Sequence, residues 1–229
     1  MANGICVYAE SYNGELETVA AELVSAAKGL AETTKEKVQA IVLSDHAEEL
    51  VKELDKLGVD EIYAVKADHD IILQDDAVSA AIAEMLKKIE PSAVLVPATP
   101  QGRSIFSRVA MRLGCGMTAD CTEVLAAQRE DGSFYIKQNK PSYGENVFVT
   151  ILTKEGIYPQ MMTVRPGVYA ACEAKESGNA NVTFFDDIKI EKFGEEIRLE
   201  FVGNGFLYNM VRIIAGTLIL SGKGKLDKK

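Results

Sequence analysis

Between Ile5 and Val96 four short apolar runs alternate with segments of helical period, and this alternation limits the fold more tightly than any other property of the chain. Residues 5–8, 38–43, 61–65 and 93–96 are too short for stable helices and are rich in aliphatic side chains, so they read as strands. Between the first two, Leu16, Val19, Ala20, Leu23, Val24, Ala27 and Leu30 recur on one helical face. Asp45 offers an N-cap to a second helix that runs through Leu57 and stops at Gly58. Val78, Ala81, Ile82, Met85, Leu86 and Ile89 mark a third. Strands that alternate with helices imply a mainly parallel sheet with right-handed crossovers, covered by helices on both faces: a three-layer α/β sandwich.

After Thr122 the pattern changes. Residues 123–127, 134–138 and 147–152 are strand-like and separated by turn signals at Asp131-Gly132 and at 141–144, which predicts an antiparallel edge; residues 160–164 supply one more strand. Small polar residues over 175–181 read as a junction between a domain at 1–174 and a fragment at 182–229. In that fragment, strands over 182–190 and 196–202 bracket a turn at Phe193-Gly194 and lead to an apolar helix over 206–220, a small β-β-α appendage. The helix is shorter than the ~20 residues a bilayer span requires and carries Asn209 and Arg212, so it reads as a buried helix.

The segment 93–122 carries the candidate site. An apolar strand passes through Thr99-Pro100-Gln101-Gly102-Arg103 into a helix with Ile105, Phe106, Val109, Ala110 and Leu113 on one side and Ser104, Ser107, Arg108 and Arg112 on the other. A loop outside the carboxyl end of a parallel strand, at a helix N-terminus, is where open α/β sheets hold anions. Thr99, Gln101, Gly102 and Arg103 are therefore cofactor-binding candidates, with helix capping as the alternative; Gly102 stands alone, without the glycine pattern of a dinucleotide or phosphate loop. Arg108 and Arg112 either meet a partner's carboxylates or solvate a helix face. Asp120 and Thr122 are placed to order a turn through side-chain hydrogen bonds.

These blocks resemble the amino-terminal domain of the electron transfer flavoprotein alpha subunit. The matching residues are the 97–122 segment, the opening Gly4-Ile5-Cys6-Val7-Tyr8-Ala9-Glu10 with Gly14-Glu15-Leu16, and Pro159-Gln160-Met161-Met162-Thr163-Val164-Arg165-Pro166-Gly167, in that family's order over about residues 1–172. The resemblance implies electron transfer through FAD in an assembly with a beta subunit, serving acyl-CoA or other dehydrogenases. It further implies a subunit interface at Arg108, Arg112, Asp120, Thr122 and Arg165, and a flavin held by a further domain absent from this sequence, so that the chain alone binds none. A second resemblance starts at about Ile188. Val202-Gly203-Asn204-Gly205-Phe206-Leu207-Tyr208-Asn209-Met210-Val211-Arg212 is similar to the carboxyl-terminal part of the tRNA pseudouridine synthases of the anticodon arm. Arg212 matches that family's active-site arginine, but the Arg-Thr-Asp tripeptide that supplies its catalytic aspartate does not occur here. The fragment is expected to be catalytically inert, and its helix, suited to packing on a sheet most of which is missing, to self-associate or to lack order.

Two rival functions stand beside this reading, a pseudouridine synthase piece and an adenine-nucleotide-binding module. A net charge of −9 opposes binding to phosphate backbones, and the lysines at 223, 225, 228 and 229 read as a solvated run. Cys6, Cys115, Cys121 and Cys172 lack metal-site spacing, and only two histidines could join them, so no metal is expected. Free thiols and the lack of a leader predict a cytoplasmic protein; the short helix and the acidic balance predict no membrane and no nucleic-acid partner.

Overall fold

Alternation along one strand generates two cores. In β1 (Ile5–Tyr8) every residue is buried; Ile5 and Val7 face one side of the sheet, Cys6 and Tyr8 the other. The computed structural model describes residues 2–142, 147–185, 188 and 210–223, and the chain divides into two units, Met1–Phe193 and Gly194–Lys229.

In the first unit β1 is followed by β2 (Ser11–Tyr12), β3 (Glu15–Leu16), α1 (Val19–Thr34), β4 (Val38–Ser44), α2 (Ala47–Lys56) and β5 (Glu61–Lys66). Next come α3 (His69–Ile72), α4 (Asp75–Ile89), β6 (Ala93–Pro97), α5 (Pro100–Leu113) and β7 (Met117–Cys121). The unit continues with β8 (Glu123–Gln128), β9 (Phe134–Pro141), β10 (Phe148–Ile151), β11 (Gln160–Val164) and β12 (Asn181–Phe184). Seven strands form one sheet in the order β12-β5-β4-β1-β6-β11-β7, every neighbouring pair parallel. Helices α1 and α2 share one core with Ile5, Val7, Val42 and Leu95. Helices α4 and α5 share the other with Cys6, Tyr8, Val94 and Val96. This is the expected three-layer sandwich.

Three expectations are corrected. The antiparallel strands do not edge the main sheet; they form a separate sheet, β10-β9-β8, whose Val124 and Ile136 enter the core beside α1. The strand expected to open the appendage is β12, which pairs in parallel with β5 at Val182↔Ile62 and so extends the main sheet. Asp45 does not cap α2: it accepts from Ser44 Oγ at 3.2 Å and meets His69 Nδ1 at 3.0 Å, while His46 precedes the helix without a capping side-chain bond. Tyr143 and Gly144 of the expected turn, and the expected strand over 196–202 with its Phe193-Gly194 turn, lie outside the described residues. The second unit contains α6 (Met210–Gly222), none of whose residues is buried. No helix among the described residues is long and apolar enough to cross a membrane.

Candidate functional site

The strand order reverses between β1 and β6, with β4 and β5 on one side of the pair and β11 and β7 on the other. In such sheets the crevice outside the carboxyl ends at this switch point is the usual ligand position. Here a side-chain hydrogen bond spans it. Glu10 follows β1 and is 6% exposed, and its Oε2 accepts from Thr99 Oγ1, just after β6, at 2.7 Å. Thr99 is the N-cap of α5 and accepts from the Gly102 N–H at 2.9 Å.

The same helix end has little left to offer an anion. Pro100, the first helical residue, has no N–H; Gly102 gives its own to Thr99, and Arg103 gives its backbone N–H to the Thr99 carbonyl at 3.0 Å. The Arg103 side chain also turns back, donating from Nε and Nη2 to the Ala98 carbonyl at 2.9 and 2.6 Å. Gly102 is needed for packing: a Cβ there would lie 2.3 Å from the Pro97 carbonyl oxygen. Of the four candidates, Thr99, Gly102 and Arg103 are thus engaged within the chain.

A second cluster lies at the carboxyl ends of β7 and β11. Arg165 grips Asp120 with two bonds, Nε to Oδ1 at 3.1 Å and Nη2 to Oδ2 at 2.6 Å. Asp120 has φ +64°, a left-handed conformation that aspartate tolerates, and its N–H donates to Thr163 Oγ1 at 2.8 Å. Arg165's hydrogen bonds hold the Asp120 carboxyl below its ordinary range, with smaller help from the charges of Arg103 and Lys140. Thr122 gives its N–H to the Asn139 carbonyl and ties this corner to β9.

The other basic residues are dispersed. Arg108 pairs with Asp76 at 2.9 Å and Asp75 at 3.6 Å, binding α5 to α4. Arg112 sits at the opposite, amino-terminal edge of the sheet, beside Glu90 and Pro159 in a cavity of 560 Å³. Arg212 is exposed on α6, in the other unit. The five residues expected to form one interface therefore occupy three separate places.

A surface that the sequence reading passed over is more suggestive. Cross-strand register puts Glu123, Asn139 and Thr150 on one face of the antiparallel sheet, and alternation adds Leu125, Lys137 and Phe148 to it. The opposite face carries the buried Val124, Ile136 and Gln138. Phe148 is 66% exposed, and Leu125 is exposed on the same face. The signal was present in the sequence: an unbroken apolar run, Val147-Phe148-Val149, interrupted only by Thr150 before Ile151-Leu152, is what a strand covered on both faces requires.

Glu10 was likewise missed. Burial raises its pKa, with a smaller push from the charge of Glu17 and an opposing pull from the Thr99 hydrogen bond. A carboxyl that holds its proton more tightly folded than unfolded gives stability that is complete below the ordinary carboxylate range and is lost as pH rises through the raised value. Glu10→Gln keeps an acceptor for Thr99 but cannot ionise. It is expected to match the wild type in thermal melts below about pH 4 and to melt higher near neutrality; an equal difference at both pH values would exclude this role.

Comparison with known proteins agrees with this architecture. Residues 5–189 match the electron transfer flavoprotein domain, and residues 168–229 match tRNA pseudouridine synthase, from 168 instead of about 188. The chain is 33% identical over 192 residues to an electron transfer flavoprotein subunit alpha of Clostridium acetobutylicum, covering 82% of this chain and 53% of that protein. It is 32% identical to the lactate dehydrogenase (NAD(+),ferredoxin) subunit LctC of Acetobacterium woodii, over 80% of this chain and 43% of that one. With the acryloyl-CoA reductase electron transfer subunit beta of Anaerotignum propionicum it shares 29% identity, over 74% of this chain and 51% of that one. The chain spans about half the length of the curated relatives it matches. The parallel sheet and the match over residues 5–189 together place this chain in the electron transfer flavoprotein family.

Proposed function

We propose that residues 1–185 serve as the docking platform of an alpha-type electron transfer flavoprotein subunit. The platform pairs with a beta subunit, and the assembled pair carries electrons through FAD between a dehydrogenase, of the acyl-CoA class or another, and an acceptor in the cytoplasm. The observation that carries this reading is the outer face of the β10-β9-β8 sheet, where Phe148 is 66% exposed and Leu125 is exposed as well. An exposed aromatic and an exposed aliphatic side chain on a face that also carries Glu123, Lys137, Asn139 and Thr150 give the mixed composition of a protein interface. The hydrogen bond from Thr99 to Glu10 across the switch point supports a platform role over a cofactor role. The chain contributes a surface, and no side chain in it is proposed to react.

The test is co-expression with a cognate beta subunit, followed by gel filtration monitored for protein and for flavin absorbance. A stable complex is expected, and this chain purified alone is expected to be colourless. A stoichiometric flavin on the isolated chain, or failure to co-elute with the beta subunit, would overturn the reading.

A further inference from the structure

A cavity of 560 Å³ lies where the end of α5, the strand β7 and the segment that follows β10 meet β9. Register pairs Lys140 with Val149 and Asn139 with Thr150, so alternation puts Lys140 and Ile151 on the face of the antiparallel sheet opposite Phe148. The described walls are apolar at Met117, Ile151, Leu152 and Ile157, and their polar side chains are Lys140, Lys154, Thr118 and Thr153. No acidic side chain is among the described lining residues, although Asp and Glu outnumber Lys and Arg by 34 to 25 in the chain. Apolar walls with a few polar groups, at this volume, have the build of a small-molecule site.

The polar groups select the sign of the occupant's charge. Lys140 is half-buried, and among the described residues neither it nor Lys154 is held in a salt bridge. The neighbouring carboxylate, Asp120, is gripped by Arg165 instead. Thr153 Oγ1 accepts from Nε2 of the fully buried Gln138 at 3.0 Å, which leaves the Thr153 hydroxyl hydrogen to donate. Two ammonium groups and a hydroxyl donor, with no carboxylate beside them, suit an oxyanion. A cation would meet like charge. Inorganic phosphate or acetate would satisfy the lysines but leave the apolar walls against water, so the occupant needs an apolar body as well.

We propose that this cavity binds an organic acid with one carboxylate on an apolar body, the carboxylate held by Lys140, Lys154 and the Thr153 hydroxyl and the body lying against Met117, Ile151, Leu152 and Ile157. The site goes beyond the platform function, whose docking face is the other side of the same sheet.

The test is titration calorimetry of the full chain with octanoate, beside acetate, octanol and octylamine as probes of the head group alone, the uncharged body and the reversed charge. Octanoate is expected to bind saturably, acetate and octanol to bind at least about tenfold more weakly, and octylamine not to bind. Lys140→Gln should weaken octanoate binding about tenfold, through loss of a charge-assisted hydrogen bond. Lys154 is exposed, so Lys154→Gln should weaken it only about threefold. Gly116 lines the cavity, and a Cβ there would meet nothing within 4 Å; Gly116→Leu should therefore fill part of the cavity and abolish octanoate binding without lowering the melting temperature. Equal affinity for octanoate and octanol, or for octanoate and acetate, would overturn the proposal. So would binding of octylamine, octanoate binding unchanged in both Lys140→Gln and Gly116→Leu, or no octanoate binding at all. None of these readouts involves a beta subunit or flavin, so the cavity and the platform are tested apart.

Discussion

Phe148→Asp is expected to weaken pairing with the beta subunit by about 100-fold while leaving the fold intact. Phe148 is 66% exposed, so folding gains little from it, and surface substitutions of this kind change stability by about 0.5 kcal/mol or less. Pairing is affected far more. An aromatic anchor near the centre of an interface contributes about 2 kcal/mol, and a carboxylate buried there without a partner adds a desolvation penalty of about 1–3 kcal/mol. The sum exceeds the ~2.7 kcal/mol that corresponds to 100-fold. Titration calorimetry or gel filtration against the beta subunit measures the loss, and a thermal melt of the variant alone confirms folding. Arg108→Ala serves as the contrast. Its guanidinium already pairs with Asp75 and Asp76, so it should lower the melting temperature more than it changes affinity. The reverse outcome, with Phe148→Asp binding normally and Arg108→Ala failing to bind, would move the interface to α5.

The difference between these two residues shows what could be read from the sequence and what could not. The central strands were legible because burial on both faces leaves an uninterrupted apolar run, as in Ala93–Pro97, where all five residues are buried. The helices were legible because one face repeats. β7 was not: Met117–Cys121 is an edge strand only half buried, and its Asp120 is fixed by Arg165 and Thr163, 45 and 43 positions away. Nothing local announces such a strand. β12 was legible as a strand but not in its place, because the small polar residues before it looked like a domain joint, whereas Asn181 already donates to the Asp60 carbonyl at 2.9 Å. At the candidate site the residue types were visible and their partners were not. Arg103 and Arg108 looked like outward charges, yet their guanidinium groups bond to Ala98 and to Asp75 and Asp76. Glu10 carried no signal at all, since the group that explains it, Thr99, lies 89 residues away.

Two glycine-to-alanine changes inside helices should move stability in opposite directions, and the larger effect falls at Gly102. Helix propensity alone favours alanine by about 1 kcal/mol at an interior position. A Cβ on Gly29, in α1, would meet nothing within 4 Å, and the residue lies on the exposed face, so Gly29→Ala should gain close to that amount. Gly102 occupies the first turn of α5, where a Cβ would come within 2.3 Å of the Pro97 carbonyl oxygen and 3.2 Å of Val96 Cγ1. Pro97 ends β6, a strand paired on both sides by β1 and β11, so the obstructing atom is backbone that cannot rotate away. Relief requires α5 to move off the sheet, which breaks the Thr99 cap, leaves Glu10 buried without its donor and loosens Phe106, fully buried against Tyr8. Overpacking costs about 1–3 kcal/mol by itself, and losing the cap adds about 1 kcal/mol. The expected net loss is about 3 kcal/mol, a fall in melting temperature of about 6–12 °C for a unit of this size. A melting temperature for Gly102→Ala equal to the wild type, measured beside a Gly29→Ala variant that rises by about 2–4 °C, would show that α5 does not rest on β6 at this distance.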